Sequence, residues 1–541
     1  MLSMQTVWFR RLLLLVLVIG IFFRLINLDK KVYWHDEVYT SIRVLGHSPG
    51  HIVERLFTGK VITPDEVLQF QRPTPENDLS DVWIALKSRP EHPPLYYLLA
   101  RFWITTFGSS VAAIRSLSVL ISLFMFPSLY WLCWELFQLK SVGWVAVVLF
   151  AISPFHVLYA QEAREYSLWT VLILLSSAAL LRAVKPQEHQ KFWGSIRIWG
   201  VYILTSTLCL YTSLLSVLVA ISHGFYVLLL EKFKPTRTLF SFLMASAIVT
   251  VLYSPWLSNI ATNFEEMQGS TRWLYVQQTW LQLIVSWQLN FSSVAIDLHP
   301  EVNHFVIPRL IVFLLVGFGY CLYILRRQSS DSAQLFLLTL LCIPSLSLIL
   351  PDLIQGGQRS TLARYLTPSL ISVQIIIAYA LSNLPHPVLK VPRIGCLKYL
   401  NQKSLIVFFI IVGILSCAVS SQADTWWTKP ASYSNPRIAD IINQSSSPLV
   451  ISDNSGINIG NLISLSHLLH PHVRLQFVEQ NSTDSLQISS DFSDIFLYGP
   501  SDSLATEVQK QTDSELERID NVFEFYRVNL VDKSAASLKS A

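Results

Sequence analysis

The sequence predicts a polytopic α-helical membrane protein with a small C-terminal α/β domain on the extracytoplasmic side. Three observations carry that prediction. Charged residues are only 14% of the chain and hydrophobic residues 52%, where a soluble chain carries roughly a quarter charged residues; mean hydropathy is +0.44. Eleven apolar segments approach the roughly 20 residues that a helix needs to cross a hydrocarbon core. From Gln422 to Ala541 that character is lost, and polar residues return.

In the first segment, 8–28, Arg10 and Arg11 precede the apolar run Leu12–Leu28, which at first looks like a signal peptide. It is long for one, and Phe22, Phe23 and Arg24 stand where small cleavage-site residues would be, so a retained helix is expected. The other ten are expected at 112–134, 142–160, 166–184, 198–213, 214–230, 238–257, 305–325, 334–350, 366–383 and 404–421. With the N-terminus inside, the inside connections hold Lys140, then Lys185, Lys191 and Arg197, then Lys232, Lys234 and Arg237. Arg326 and Arg327 follow, and finally Lys390, Arg393, Lys398 and Lys403. That distribution obeys the positive-inside rule.

Leu95 to Phe107 is the exception. It is apolar but short, with Arg101 in its middle and Pro93 and Pro94 at its start. A helix of that length reaches about 20 Å, against a hydrocarbon core of about 30 Å. A crossing here would invert every later segment, so an interfacial or re-entrant helix on the outer side is expected. Residues 1–421 are thus read as a membrane domain, with 29–110 as its first extracytoplasmic loop, and 422–541 as a separate soluble α/β domain. Within the tail, strands are expected at Pro448–Ser452, Asp494–Tyr498 and Val522–Val528, and helices near 436–444, 457–469 and 501–515.

Composition excludes several chemistries. No basic cluster with interleaved aromatics suggests nucleic acid. The six cysteines form no Cys-x-x-Cys pair, and five lie in or beside apolar runs, so neither a zinc site nor a disulfide framework is indicated. Gly-rich phosphate cradles are missing. Trp273, Trp280 and Trp287 recur at intervals of seven and read as an amphipathic helix lying on the membrane. Asn290, Asn443 and Asn481 sit in Asn-x-Ser/Thr contexts, which matter only in an endoplasmic reticulum; a bacterial plasma membrane is the expected location.

The expected topology gathers one set of charges on the outer face. Asp36 and Glu37 follow the first helix in Tyr33-Trp34-His35-Asp36-Glu37. Glu162, Arg164 and Glu165 lie in a short outer turn, and Arg359 and Arg364 in another. Charges at such depth are expensive and tend to mark a site. A carboxylate there could take a proton from an acceptor hydroxyl. A guanidinium could hold a phosphate through paired donors. A divalent cation between Asp36 and Glu162 is a further option. Each has a plainer reading: Arg164 in a local salt bridge with its glutamate neighbours, Arg364 as an outer-leaflet anchor, and Glu91-His92-Pro93-Pro94 as a helix start.

Taken together, these stretches resemble a known family. Tyr33-Trp34-His35-Asp36-Glu37, His92-Pro93-Pro94-Leu95-Tyr96-Tyr97, Arg115-Ser116-Leu117-Ser118, Ser153-Pro154-Phe155-His156, Gln161-Glu162-Ala163-Arg164-Glu165-Tyr166-Ser167 and Ala363-Arg364-Tyr365-Leu366 resemble the GT-C membrane glycosyltransferases. Within these, the protein-mannosyltransferase-like group is nearest, and the lipid A aminoarabinose transferases are more distant kin. The resemblance implies a GT-C-type membrane fold of about 11 transmembrane helices. It also implies transfer of a sugar, with inversion, from a polyprenyl-phosphate carrier to a glycan, lipid or protein acceptor on the extracytoplasmic face. Asp36 would be the base, Glu37 its neighbour in the motif and Glu162 the second-loop acid. Arg164 and Arg364 would be candidates for the lipid phosphate, with His92, Glu165, Arg359 and Tyr365 as further substrate contacts. The chain departs from the aminoarabinose relatives at His92, where they carry a Lys that meets the phosphate. Two readings from other classes remain: a transporter of a lipid-linked or anionic substrate, and a non-catalytic scaffold that binds lipid or glycan. A transporter would place its charges near the midplane and would be built from repeats; here the charges fall at one face and no repeat is seen.

Overall fold

The structure is a computed structural model that describes residues 7–185, 192–298, 300–384, 402–480, 486–489 and 491–529. Lys191, Lys390, Arg393, Cys396, Lys398 and Asn481 lie outside the described residues. The elements that carry the argument are helices α1 (Val7–Leu25), α2 (His35–Val44), α3 (Leu95–Phe107), α4 (Lys140–Ala151), α5 (Pro154–Ala160), α6 (Tyr166–Val184), α7 (Asn458–Ser466) and α8 (Asp502–Thr512). The strands are β1 (Thr58–Ile62), β2 (Pro448–Asp453), β3 (Arg474–Val478), β4 (Asp494–Tyr498), β5 (Glu515–Asp520) and β6 (Phe525–Asn529).

By their contacts the residues divide into two compact units. The first holds Met1–Leu28, Leu86–Ala100 and Ala112–Gln422; the second holds Asp29–Ala85, Arg101–Val111 and Ala423–Ala541. The first unit is helical. Among the described residues, seven helices are long and apolar enough to cross a membrane, or eight if the bent pair α4 and α5 counts as one span. The sequence expects eleven crossings. The three remaining expected segments are helical too, as α1, Phe192–Leu210 and Ser216–Leu230, but they do not meet that test of length and composition. Helix α3 forms where expected, with 13 residues.

The bend between α4 and α5, 60°, has a local cause. Pro154 has no N–H, so it cannot donate to the Phe150 carbonyl one turn back. Phe155 donates instead to the Ser293 carbonyl (3.1 Å), which leaves the Ala151 carbonyl without a helical partner. Ser153 N turns back to Phe150 O (3.4 Å), and the fully buried guanidinium of Arg24 donates to both carbonyls, with Nη2 on Phe150 O at 3.0 Å and Nη1 on Ala151 O. An arginine that a sequence reading takes only as a sign against signal cleavage is thus the cap of a broken helix.

The second unit is built on a six-stranded sheet in the order β1-β3-β2-β4-β6-β5. Strand β2 runs parallel to β3 and β4, while β1, β6 and β5 pair antiparallel to their neighbours. Alternate side chains of β2, β4 and β6 (Leu449, Ile451, Ile495, Leu497, Val528) pack with Leu504 and Val508 of α8 into one core. The expected tail strands correspond to β2, β4 and β6; β3 and β5 are additional. So is β1, which comes from the first loop. Thr58 faces Val478 and Ile62 faces Leu475, and Gln476 Nε2 donates to Gly59 O at 2.7 Å. The sequence reading assigns 29–110 to the membrane domain. By contacts, Asp29–Ala85 instead belongs with the tail, because its strand completes the tail's sheet.

The tryptophan stripe does not form one helix. Trp273 lies in a 3₁₀ turn, Arg272–Tyr275, and Trp280 opens the helix Trp280–Ser292, which is started by a Thr279–Gln282 capping box. Trp280 is 66% exposed, whereas Trp287 is docked and donates from Nε1 to Ser360 Oγ at 2.9 Å. Asn290 is buried and donates to Ser360 O and Thr361 O, so its sequon is a structural contact.

Candidate active site

In the second unit the chain from Lys31 to Trp34 is buried and leads straight into α2. The cap residue Trp34 is extended and offers no side-chain cap. The first helical amide, that of His35, donates instead to Ser432 Oγ at 3.0 Å. Asp36 and Glu37 occupy the first turn, where the helix dipole favours acids. Neighbours on a helix point about 100° apart, and this separates their roles. Glu37 is fully buried, with Oε2 3.3 Å from Lys429 Nζ, and the Lys429 ammonium lies 5.3 Å from the Trp34 ring centre. Asp36 is half-buried.

The first unit holds the second group. Helix α5 ends at Ala160, and the turn 161–165 leads into α6. The turn is fastened to the end of α1: Gln161 Nε2 donates to Phe23 O (2.9 Å) and Ile26 O (2.8 Å), carbonyls a helix end leaves open. Glu162, Arg164 and Glu165 are buried at 0%, 3% and 7% exposure, so the charges are held by protein rather than by water. Arg164 Nη2 pairs with Glu165 Oε1 at 3.3 Å. Its Nη1 donates to the Tyr97 hydroxyl (3.3 Å), and that hydroxyl donates to Glu165 Oε2 (3.4 Å). The His92 ring lies 5.9 Å from that of Tyr97. The Arg164 guanidinium is also 5.7 Å from the Tyr166 ring centre. Tyr166 lies within electrostatic reach of Arg364 as well, and Arg364 stands 5.6 Å over Tyr365. Two guanidiniums thus lie near Tyr166, Arg164 already paired with Glu165 and Arg364 beside the half-buried Tyr365, and a guanidinium in such surroundings offers paired donors to an anion.

Of the residues singled out by sequence, the structure joins His92, Arg164, Glu165, Arg364 and Tyr365 through Tyr97 and Tyr166. Glu162 belongs to the same turn, where its carbonyl accepts from Arg164 N (2.8 Å). Arg359 is engaged elsewhere. Its Nη1 pairs with the fully buried Asp352 at 2.8 Å, its guanidinium stacks 4.3 Å over Tyr275, and the other Asp352 oxygen accepts from Ser360. It stitches its own turn. Sequence reasoning missed Tyr97, Tyr166 and Lys429. The tyrosines lie within the motifs quoted for the resemblance, but an apolar ring gives no hint of the charges around it. Among the described residues, no group of three or more His, Cys, Asp or Glu side chains is placed to hold a metal ion.

Residues 91–258 match the sequence profile of the family described as dolichyl-phosphate-mannose-protein mannosyltransferase. That span includes His92, Tyr97, Glu162, Arg164, Glu165 and Tyr166. No curated protein matches the chain. The fold is similar to the crystal structure of ArnT from Cupriavidus metallidurans bound to undecaprenyl phosphate. The TM-score is 0.56 at 12% identity, over 98% of this chain and 99% of that one. Apo ArnT from the same organism gives a TM-score of 0.53 at 12% identity, over 97% and 98%. At that identity the likeness concerns the fold alone.

Proposed function

We propose that the chain is a GT-C-type glycosyltransferase that moves a sugar from a polyprenyl-phosphate carrier to a hydroxyl acceptor on the extracytoplasmic face of a plasma membrane. The observation that carries this reading is the shared neighbourhood of Arg164 and Arg364 around Tyr166, of which Arg164 and Tyr166 lie within the matched stretch 91–258. Undecaprenyl phosphate bound to ArnT supports the class of carrier. The acceptor hydroxyl attacks the anomeric carbon while its proton passes to the Asp36 carboxylate. The bond from that carbon to the phosphate oxygen breaks, and the electron pair leaves with the polyprenyl phosphate. Attack opposite the leaving group inverts the configuration. Arg164 and Arg364 neutralise the charge that grows on the phosphate. Glu162 is the second acid of this reading, and His92 and Tyr365 line the substrate side of it.

The test is release of polyprenyl phosphate from purified protein in proteoliposomes, with a panel of radiolabelled undecaprenyl-phosphate sugars and glycan, lipid and peptide acceptors. The expected result is turnover with one donor class, which also names the sugar. Turnover with none, together with no binding of undecaprenyl phosphate, would overturn the reading in favour of a transporter or scaffold. Running the panel with and without EDTA settles the cation: loss of turnover restored by Mg²⁺ or Mn²⁺ would add a metal, and unchanged turnover would leave the chemistry to the carboxylate and the guanidiniums.

A further inference from the structure

The second unit places the motif helix α2 in the grip of the C-terminal segment, 392 positions further along the chain. Four contacts make that grip, all within the same unit. Val32 N donates to Asp424 O at 2.7 Å, and Lys30 pairs with Asp424 at 3.0 Å. The His35 amide, the first of α2, is satisfied by Ser432 Oγ, whose own proton goes to Asn461 Oδ1 of α7 at 2.7 Å. Asn461 in turn donates to Ala431 O. Glu37 and Lys429 form an ion pair that is buried on both sides. Helix α7 lies so close to α2 that a Cβ at Gly460 would stand 2.5 Å from His35 Nδ1 and 2.8 Å from Tyr39 Cε2.

The buried pair is the informative contact. Two charges withdrawn from water often stabilise no more than two apolar side chains of the same volume would. What a pair supplies and an apolar contact does not is a fixed direction. Glu37 is the next residue after Asp36 on the same helical turn. Fixing Glu37 therefore fixes the rotation of α2, and with it the direction of the Asp36 carboxylate.

We propose that the C-terminal α/β segment is a positioning device for the proposed base, acting through Lys429 on Glu37, Ser432 on the His35 amide and the Gly460 face of α7. The proposal rests on the reading of Asp36 as the base. Glu37 and Lys429 are positioning residues, and the tail's role precedes any role in selecting an acceptor.

The test uses the full chain in nanodiscs. Its variants are Lys429→Met, the double variant Glu37→Gln with Lys429→Met, Lys429→Arg, and Gly460→Val. Lys429→Met leaves a carboxylate buried without its ammonium and is expected to lower the melting temperature. The double variant removes both charges and is expected to restore it. If the pair positions Asp36, the double variant still shows faster hydrogen exchange at the α2 amides. Its kcat falls about 10- to 100-fold, the range that a misplacement near 1 Å produces, while donor KM stays within about twofold. Lys429→Arg keeps kcat, and Gly460→Val lowers it with no change of charge. A double variant with wild-type kcat would overturn the proposal, and so would α2 exchange unchanged in both the double variant and Gly460→Val. If wild type turns over no undecaprenyl-phosphate sugar, the reaction reading fails, and the grip on α2 is judged by exchange alone.

Discussion

Adjacent acids at a helix start look equivalent in a sequence, yet burial divides them. Glu37 is enclosed against Lys429, and Asp36 is half-buried. The same logic sorts the arginines. Arg364 shares the Tyr166 neighbourhood, so Arg364→Lys keeps the charge but loses the paired donors. It is expected to lower kcat/KM for the accepted donor about tenfold, the size of one charged hydrogen bond of about 1.5 kcal/mol; unchanged kinetics would remove Arg364 from phosphate binding. Arg359 is committed to Asp352. Arg359→Met should leave kcat/KM untouched and destabilise the fold by about 3 kcal/mol, as the loss of one partner of a buried pair does. Thermal unfolding measured beside the kinetics separates the two arginines. Both stand in an expected outer loop, and only the pairing of Arg359 with Asp352, seven residues earlier in the preceding helix, tells them apart.

Elements were legible in proportion to how local their causes are. The helices at 166–184, 331–354, 363–383 and 402–422 announce themselves by unbroken apolar runs, and their limits in the structure lie within a few residues of those expected. Strands β2 and β4 were legible from short buried runs. Strand β1 was not, because Thr-Gly-Lys-Val-Ile becomes a strand only when Arg474–Val478 arrives to pair with it. The tryptophan interval of seven misled for the opposite reason: periodicity was present, but the chain breaks between Tyr275 and Thr279, and Trp287 turns inward to Ser360. The α4–α5 bend was half legible, since Pro154 marks the place but not Arg24, which satisfies the carbonyls that the bend leaves open.

At the scale of the molecule, composition fixes a membrane protein and the charge distribution gives an expected orientation, but neither assigns the first loop. The sequence order suggests a membrane domain followed by an appended tail. The contacts instead place the loop 29–85 with residues 423–541 in one unit, so the segment bearing Asp36 and the segment bearing Lys429 fold together. That arrangement rests on pairings nearly 400 residues apart, which no local pattern encodes. The proposed function turns on Asp36 as the base of a sugar transfer. The most direct measurement is single-turnover sugar transfer by wild type and Asp36→Asn in the same proteoliposomes, with undecaprenyl phosphate binding measured alongside. The amide keeps the shape and removes the base, so intact lipid binding and a rate lowered about 100-fold or more are expected. An Asp36→Asn protein that transfers sugar at the wild-type rate would contradict it.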